Sequence, residues 1–200
     1  MTYRTARVDD LERIPVMHGL EWRPIRRRLG IQAFGVNAYT AEKPGDWIVE
    51  EHTEGSLRHE ELYLVLAGRA RFTLGDEDEI DAPAGTIVFI SDPDLKRVAV
   101  AEDEGTTVLA VGGKPGEAFT PSAWEWYFQA YRQPTDEGIA TMRSGIEEMG
   151  EHAPLYYHLA CLEARAGKLD EARGHLARAV ELDPKFAEYA ATDDDLKEVR

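Results

Sequence analysis

Cysteine is almost absent from this chain. Among its 200 residues only Cys161 occurs, so no intramolecular disulfide can brace the fold. Cys161 lies in LYYHLACLEARA on the apolar side of a predicted helix, where a small buried thiol is expected rather than a nucleophile. Basic residues are also scarce, 23 Lys and Arg against 38 Asp and Glu. The resulting net charge of −15 would repel nucleic-acid phosphates and anionic membranes. No run approaches the roughly 18 apolar residues of a membrane span. The N-terminal MTYRTARVDDLERIPV has no apolar signal core, so a cytoplasmic protein is expected. Two catalytic signatures are missing as well, the G-x-S-x-G elbow and the P-loop. What is present, 43% hydrophobic and 30% charged residues, is enough for a buried core in one large domain or two small ones.

The two halves of the chain differ in period. From Ile31 to Gly113 short apolar runs (IQAFGVNAYT, DWIVEEH, ELYLVLAG, RARFTL, TIVFIS, RVAVAE, TTVLAVGG) alternate with turn signals such as KPGD, TEGS, APAG and SDPD. That pattern predicts a β-sandwich or closed barrel. Leu62, Leu64 and Leu66 alternate with Tyr63, Val65 and Ala67, so both faces of that strand are apolar. One face can fill a barrel and the other can meet a second sheet or subunit. From Ala123 onward the apolar positions take helical spacing, as at Leu155, Leu159, Leu162 and Ala166.

Within the helical half, Gly138 and Ala172, Met142 and Leu176, Gly145 and Ala179, and Gly150 and Pro184 are each 34 residues apart. The stretch LACLEARAGKLDEARGHLARAVELDP resembles the tetratricopeptide family, with Leu159, Ala160, Gly167, Ala172, Leu176, Ala179 and Pro184 at its small, large and breaker positions. Glu163 stands where that family usually has an aromatic residue. The resemblance implies antiparallel helix pairs and, as one reading, a protein or peptide partner. Trp124, Trp126, Tyr127 and Tyr131 are candidate anchors for packing the helices on the barrel.

In the β half, Glu61 and Gly68 are seven residues apart within ELYLVLAG, and Pro83-Ala84-Gly85 makes a Pro-x-Gly turn. These two segments resemble the cupin family's signature strands. The resemblance implies a jelly-roll barrel, a homodimer through the barrel, and a divalent metal (Fe, Mn or Zn) held by histidines and a glutamate. Val88 occupies the position of the second segment's histidine, and the first segment's histidine pair is disrupted, with Leu57 or Ser56 at the expected spacing. His52 and His59 flank the loop TEGSLR, and with Glu61 they make a two-histidine, one-carboxylate candidate metal set. The alternative is a hydrogen-bonded barrel mouth without metal. His59, Glu61, Tyr63 and Val88 are then candidate contacts for a small organic ligand. GDEDEID (75–81) reads as a solvated hairpin tip. Arg23, Arg26, Arg27 and Arg28 read as a basic cluster that either clasps an anion or pairs with the acidic surface.

The expectation is therefore an α+β two-part chain, an all-β cupin-like jelly-roll barrel over residues 1–118 followed by an α-helical tetratricopeptide-like segment over 119–200. Three functions follow. The first is a non-catalytic small-ligand-binding or dimer-scaffold barrel. The second is a metal-dependent enzyme of dioxygenase or isomerase type using His52, His59 and Glu61. The third is an adaptor that recruits a partner through its helices. No nucleic acid or membrane partner is expected.

Overall fold

A computed structural model describes residues 4–75 and 78–200 of the chain. They form two compact units, Met1–Thr120 and Pro121–Arg200. The first opens with β1 (Ile14–Pro15), β2 (Leu20–Arg23) and the short helix α1 (Ile25–Leu29). Eight strands follow: β3 (Gly35–Ala41), β4 (Trp47–His52), β5 (Glu60–Ala67), β6 (Arg69–Leu74), β7 (Asp78–Pro83), β8 (Ile87–Ile90), β9 (Arg97–Ala101) and β10 (Thr107–Gly113). One sheet has the order β1-β2-β3-β10-β5-β8 and the other β4-β9-β6-β7. All pairings are antiparallel. The chain crosses between sheets at nearly every connection, which is the jelly-roll arrangement of two four-stranded sheets, here widened by β2 and β1.

Alternation along each strand decides what lies between the sheets. Tyr63 and Val65 of β5, Phe72 of β6, Val88 and Ile90 of β8, Ala99 and Ala101 of β9, and Val108 of β10 join one buried cluster. Two glycines make the tight corners this topology needs. Gly68 (φ 70°) joins β5 to β6, and Gly85 (φ 91°) turns β7 into β8; an L side chain is strained at either. At Gly68 an added Cβ would also lie 2.8 Å from the Thr106 Cα.

The outer face of the larger sheet is covered only in part. Leu11 and Ile25 of the N-terminal arm pack on Val36 and Ala38 of β3. Further across the sheet Leu66, Ile87 and Phe89 remain 40%, 59% and 58% exposed. Arg23 and Arg26, read from sequence as members of an anion clasp or surface cluster, are instead buried structural donors. Arg23 Nε donates to Thr40 Oγ1 (2.9 Å) and Nη1 to the Val8 carbonyl (3.0 Å), which ties the arm to β3. Arg26 lies over the Phe119 ring.

One strand is a correction. Asp78–Asp81, the end of the run GDEDEID (75–81) read as a solvated hairpin tip, lies in β7, which pairs along its length with β6. Its Ile80 and Ala82 face the core, while Asp81 and Glu79 pair with Arg69 and Arg71 across the strands. Asp76 and Glu77, from the same run, lie outside the described residues.

The second unit is helical, with α2 (Trp124–Ala130), α3 (Thr135–Met149), α4 (Ala153–Arg165), α5 (Leu169–Leu182) and α6 (Lys185–Thr192). Trp126 belongs to this unit's own core with Met142, Leu155, Leu159 and Leu162. The 34-residue correspondence is matched in burial: Gly138, Met142 and Gly145 of α3 and Ala172, Leu176 and Ala179 of α5 are all buried. Glu163, the departure noted above, is fully buried and accepts from Arg143 Nη2 (3.0 Å) and pairs with His175 Nδ1 (2.6 Å), bridging α3, α4 and α5. Cys161 is buried beside Asp193, and burial pushes its thiol up to about 12, which leaves it unreactive. Among the described residues no helix is long and apolar enough to cross a membrane.

Candidate functional site

Four segments of the first unit converge on one end of the jelly roll's interior. The first is the end of β4. Its register against β9 slips between Val49 and His52, with Val49 opposite Ala99 and His52 opposite Arg97. Simple alternation would put His52 on the face opposite Val49; the irregularity re-aims it inward. The second is the loop from Thr53 to His59, which winds around one residue. Leu57 N and Arg58 N both donate to the Glu54 carbonyl (3.1 and 2.6 Å), and Glu54 N donates to the Pro93 carbonyl (2.8 Å). The loop holds Arg58 at φ 59° and anchors its guanidinium to Asp94 Oδ2 at 3.1 Å. The third segment is β5, whose inward positions are Glu61 and Tyr63. The fourth is β9, where alternation with Ala99 and Ala101 turns Arg97 inward and buries it completely.

These segments bring three ligand-bearing residues together. One atom each from His52, Glu54 and Glu61 lies within 4.8 Å of the others. His52 Nε2 is 3.6 Å from Glu54 Oε1 and 3.5 Å from Glu61 Oε2. Its other ring nitrogen, Nδ1, donates to the Glu50 carbonyl at 2.7 Å. A carbonyl can only accept, so Nδ1 carries the proton and Nε2 faces the two carboxylates. Around this group, Tyr63 donates its hydroxyl to Glu61 Oε2 (2.5 Å), Arg97 Nε is 3.7 Å from the same oxygen, and His59 Nδ1 is 3.2 Å from Glu54 Oε2.

The electrostatics are those of an imidazole and carboxylates that stabilise one another's charged forms. Burial alone would lower the His52 pKa, but the contact with Glu61, the Glu50 carbonyl and the charges of both glutamates raise it above its ordinary value. For Glu61, burial works upward, and is outweighed by the contacts with His52 and Tyr63 and the charge on Arg97, so its carboxyl is held below the usual range. Burial and the neighbouring Glu61 keep the Tyr63 phenol protonated far past its ordinary range, which fixes it as a donor.

The sequence-predicted residues thus fall into different roles. His52 and Glu61 are in the converging group. His59 contacts that group through Glu54 rather than through Glu61, and its ring lies 5.9 Å from that of Phe119. Tyr63 is bonded to Glu61, and Val88 lies opposite Tyr63 as part of the apolar wall. Sequence reasoning missed Glu54 and Arg97. Glu54 is two residues beyond His52, inside a loop whose path the sequence does not specify. Arg97 heads RVAVAE, where Val98 and Val100 on the alternate face are the more apolar pair, so the sequence pattern pointed the arginine outward.

No protein-family model matches this chain, and no curated protein does. Among solved structures it is similar to a cupin protein from Bacteroides fragilis, at 22% identity over 61% of this chain and 92% of that one, with a TM-score of 0.43. KdgF from Halomonas sp. is similar at 13% identity over 56% of this chain and 92% of that chain (TM-score 0.45). A cupin-superfamily sugar phosphate isomerase from Silicibacter pomeroyi is similar at 18% identity over 56% of this chain and 76% of that one, again with a TM-score of 0.45.

Proposed function

We propose that the jelly roll is a small-ligand-binding barrel of cupin type whose mouth holds a divalent cation on His52, Glu54 and Glu61. The observation that carries this reading is the tautomer of His52. With Nδ1 committed to the Glu50 carbonyl, Nε2 is presented to two carboxylates, the arrangement in which a second contact orients a metal-binding imidazole. One imidazole and two carboxylates suit Fe(II), Mn(II) or Zn(II), so the donor set fits the group the resemblance implies. Such an ion would supply a Lewis acid at the barrel mouth. Around it the chain's own residues have fixed tasks: Tyr63 and Arg97 hold Glu61 ionised, and His59 orients Glu54. Binding is the function proposed, and a reaction of dioxygenase or isomerase type at the same centre is its enzymatic form.

The test is elemental analysis of untagged, dialysed full-length protein. Near one equivalent of iron, manganese or zinc per chain, lost in His52→Ala and Glu61→Gln variants that keep the native circular dichroism, is the expected result. Metal-free protein that stays empty after metal is added back would contradict it.

Two further readings belong to the same proposal. The exposed Leu66, Ile87 and Phe89 on the outer sheet face support a homodimer through the barrel. Equivalent burial at 34-residue intervals supports a tetratricopeptide-like build for the helical unit, and with it a peptide-binding role.

A further inference from the structure

Beside the candidate centre lies a charge that the centre does not use up. Arg97 has no exposed side-chain surface. Its Nη2 donates to the Asp92 carbonyl at a long 3.4 Å, and its Nε is an ion-pair distance of 3.7 Å from Glu61 Oε2. Neither Nε nor Nη1 has a hydrogen-bond acceptor among the described residues. A buried guanidinium is costly to leave in this state, and the usual remedy is an anion bonded to the free N–H groups. A second orphan faces the same interior. Asn37 alternates on β3 with Val36 and Ala38, which pack on the outer face, so its side chain points inward; its buried Oδ1 has no donor. Across the inner face of that sheet the register runs Asn37, Ala110, Tyr63, Val88. Ala110 is small, so little side chain stands between Asn37 and Tyr63.

From these two orphans we infer that the barrel interior has a subsite for a small hydroxy acid, its carboxylate accepting from Arg97 and its hydroxyl donating to Asn37 Oδ1. This deepens the reading of the barrel as a small-ligand binder and rests on it. A carboxylate fits better than a phosphate for two reasons. The anion must lie near Glu61 and Glu54, where a second negative charge would be repelled. The surrounding wall, with Val88 and Ile90, is apolar and suits an organic body. Charge also couples the two sites. A divalent ion held by Glu54 and Glu61 would neutralise their charges and leave Arg97 as the excess positive charge. The acid therefore binds more tightly to metal-loaded than to metal-free protein.

The experiment is an NMR titration of the full chain with lactate, a hydroxy acid of single charge, following the Arg97 Nε–H and Asn37 side-chain amide resonances, first metal-free and then loaded with Zn2+. The expected result is a saturable shift of both resonances, at lower lactate concentration with zinc present. In Arg97→Lys, which keeps the charge, the apparent affinity falls by at least about tenfold. Zinc binding is measured separately on each protein. Failure of zinc to bind sinks the metal reading, whereas the lactate shifts of metal-free protein judge the subsite. An Arg97 signal that does not move with lactate, or that moves equally with chloride at matched ionic strength or only with phosphate, overturns the inference. Since the titration is read on the native chain, it decides the matter even if Arg97→Lys fails to fold.

Discussion

At the scale of single residues, the chemistry turns on His52, which meets two carboxylates with one proton-bearing nitrogen already committed. Glu54 is held by the loop backbone and touched by His59, so under the proposed reading His59 would orient Glu54 and not bind the ion itself. His59→Ala is therefore expected to weaken divalent-metal affinity by about ten- to a hundredfold, whereas His52→Ala abolishes it; competition with a fluorescent chelator separates the two. Equal loss in both variants would restore His59 as a ligand. Part of this was legible in the sequence. The Glu61–Gly68 interval and the flanking histidines marked the right strand. The third member of the converging group, Glu54, was not legible, because a bulge in β4 and a loop wound on the Glu54 carbonyl decide which side chains turn inward, and neither leaves a periodic trace.

At the scale of elements, spacing predicted well wherever one face is apolar. Seven of the eight jelly-roll strands coincide with apolar runs of the sequence. β7 escaped because only Ile80 and Ala82 face the core, while its outer face is acidic and balanced by arginines on β6. In the helices, glycine carries the information. An added Cβ at Gly138 would lie 2.6 Å from the Ala130 carbonyl oxygen, and at Gly145 2.8 Å from the Trp126 ring. α2 approaches α3 closely at both points. Alanine is the better helix former by about 1 kcal/mol, yet Gly138→Ala is expected to destabilise the helical unit by roughly 1–3 kcal/mol through overpacking against backbone. Denaturant unfolding followed by helical circular dichroism measures it, and a stabilised variant would show that α2 can draw away. Ala172, 34 residues on, is buried in α5 with its methyl group in place.

At the scale of the whole molecule, the two units answer acid differently. His52 in the barrel has a raised pKa, so its contribution is full below the ordinary value of 6.5 and is lost as pH rises through the raised value. Glu61 is lowered, so its contribution is full above 4.5 and is lost as pH falls through the lowered value. Between about 4.5 and 6.5 the barrel keeps both. His158 in the helical unit is the reverse case. Burial beside Tyr127 and Tyr131 lowers it to about 4, so its contribution is full above 6.5 and is lost as pH falls toward that value. His152, also lowered by burial, adds to this loss, and Asp195, raised by burial, works against it. Hydrogen exchange from pH 7 to pH 5, corrected for the intrinsic rate, is expected to show protection falling in α4 while β4 and β5 hold theirs. Unchanged protection in α4 would mean that His158 is not held neutral, and loss in β4 and β5 would contradict the barrel's part. On the outer face, Phe89→Glu is expected to turn a homodimer into a monomer by light scattering, and an unchanged mass would remove that face from the assembly.

The central claim, a divalent cation bound through the Nε2 of His52 between two carboxylates, is tested most directly by calorimetric titration of Mn2+ into metal-stripped full-length protein at pH 6 and pH 8. One site per chain is predicted, tighter at pH 8 and accompanied by proton release at pH 6, since the ion displaces the proton that the raised pKa keeps on His52. His52→Ala should give no such site. Binding that ignores pH, survives His52→Ala or fails to occur would contradict the account.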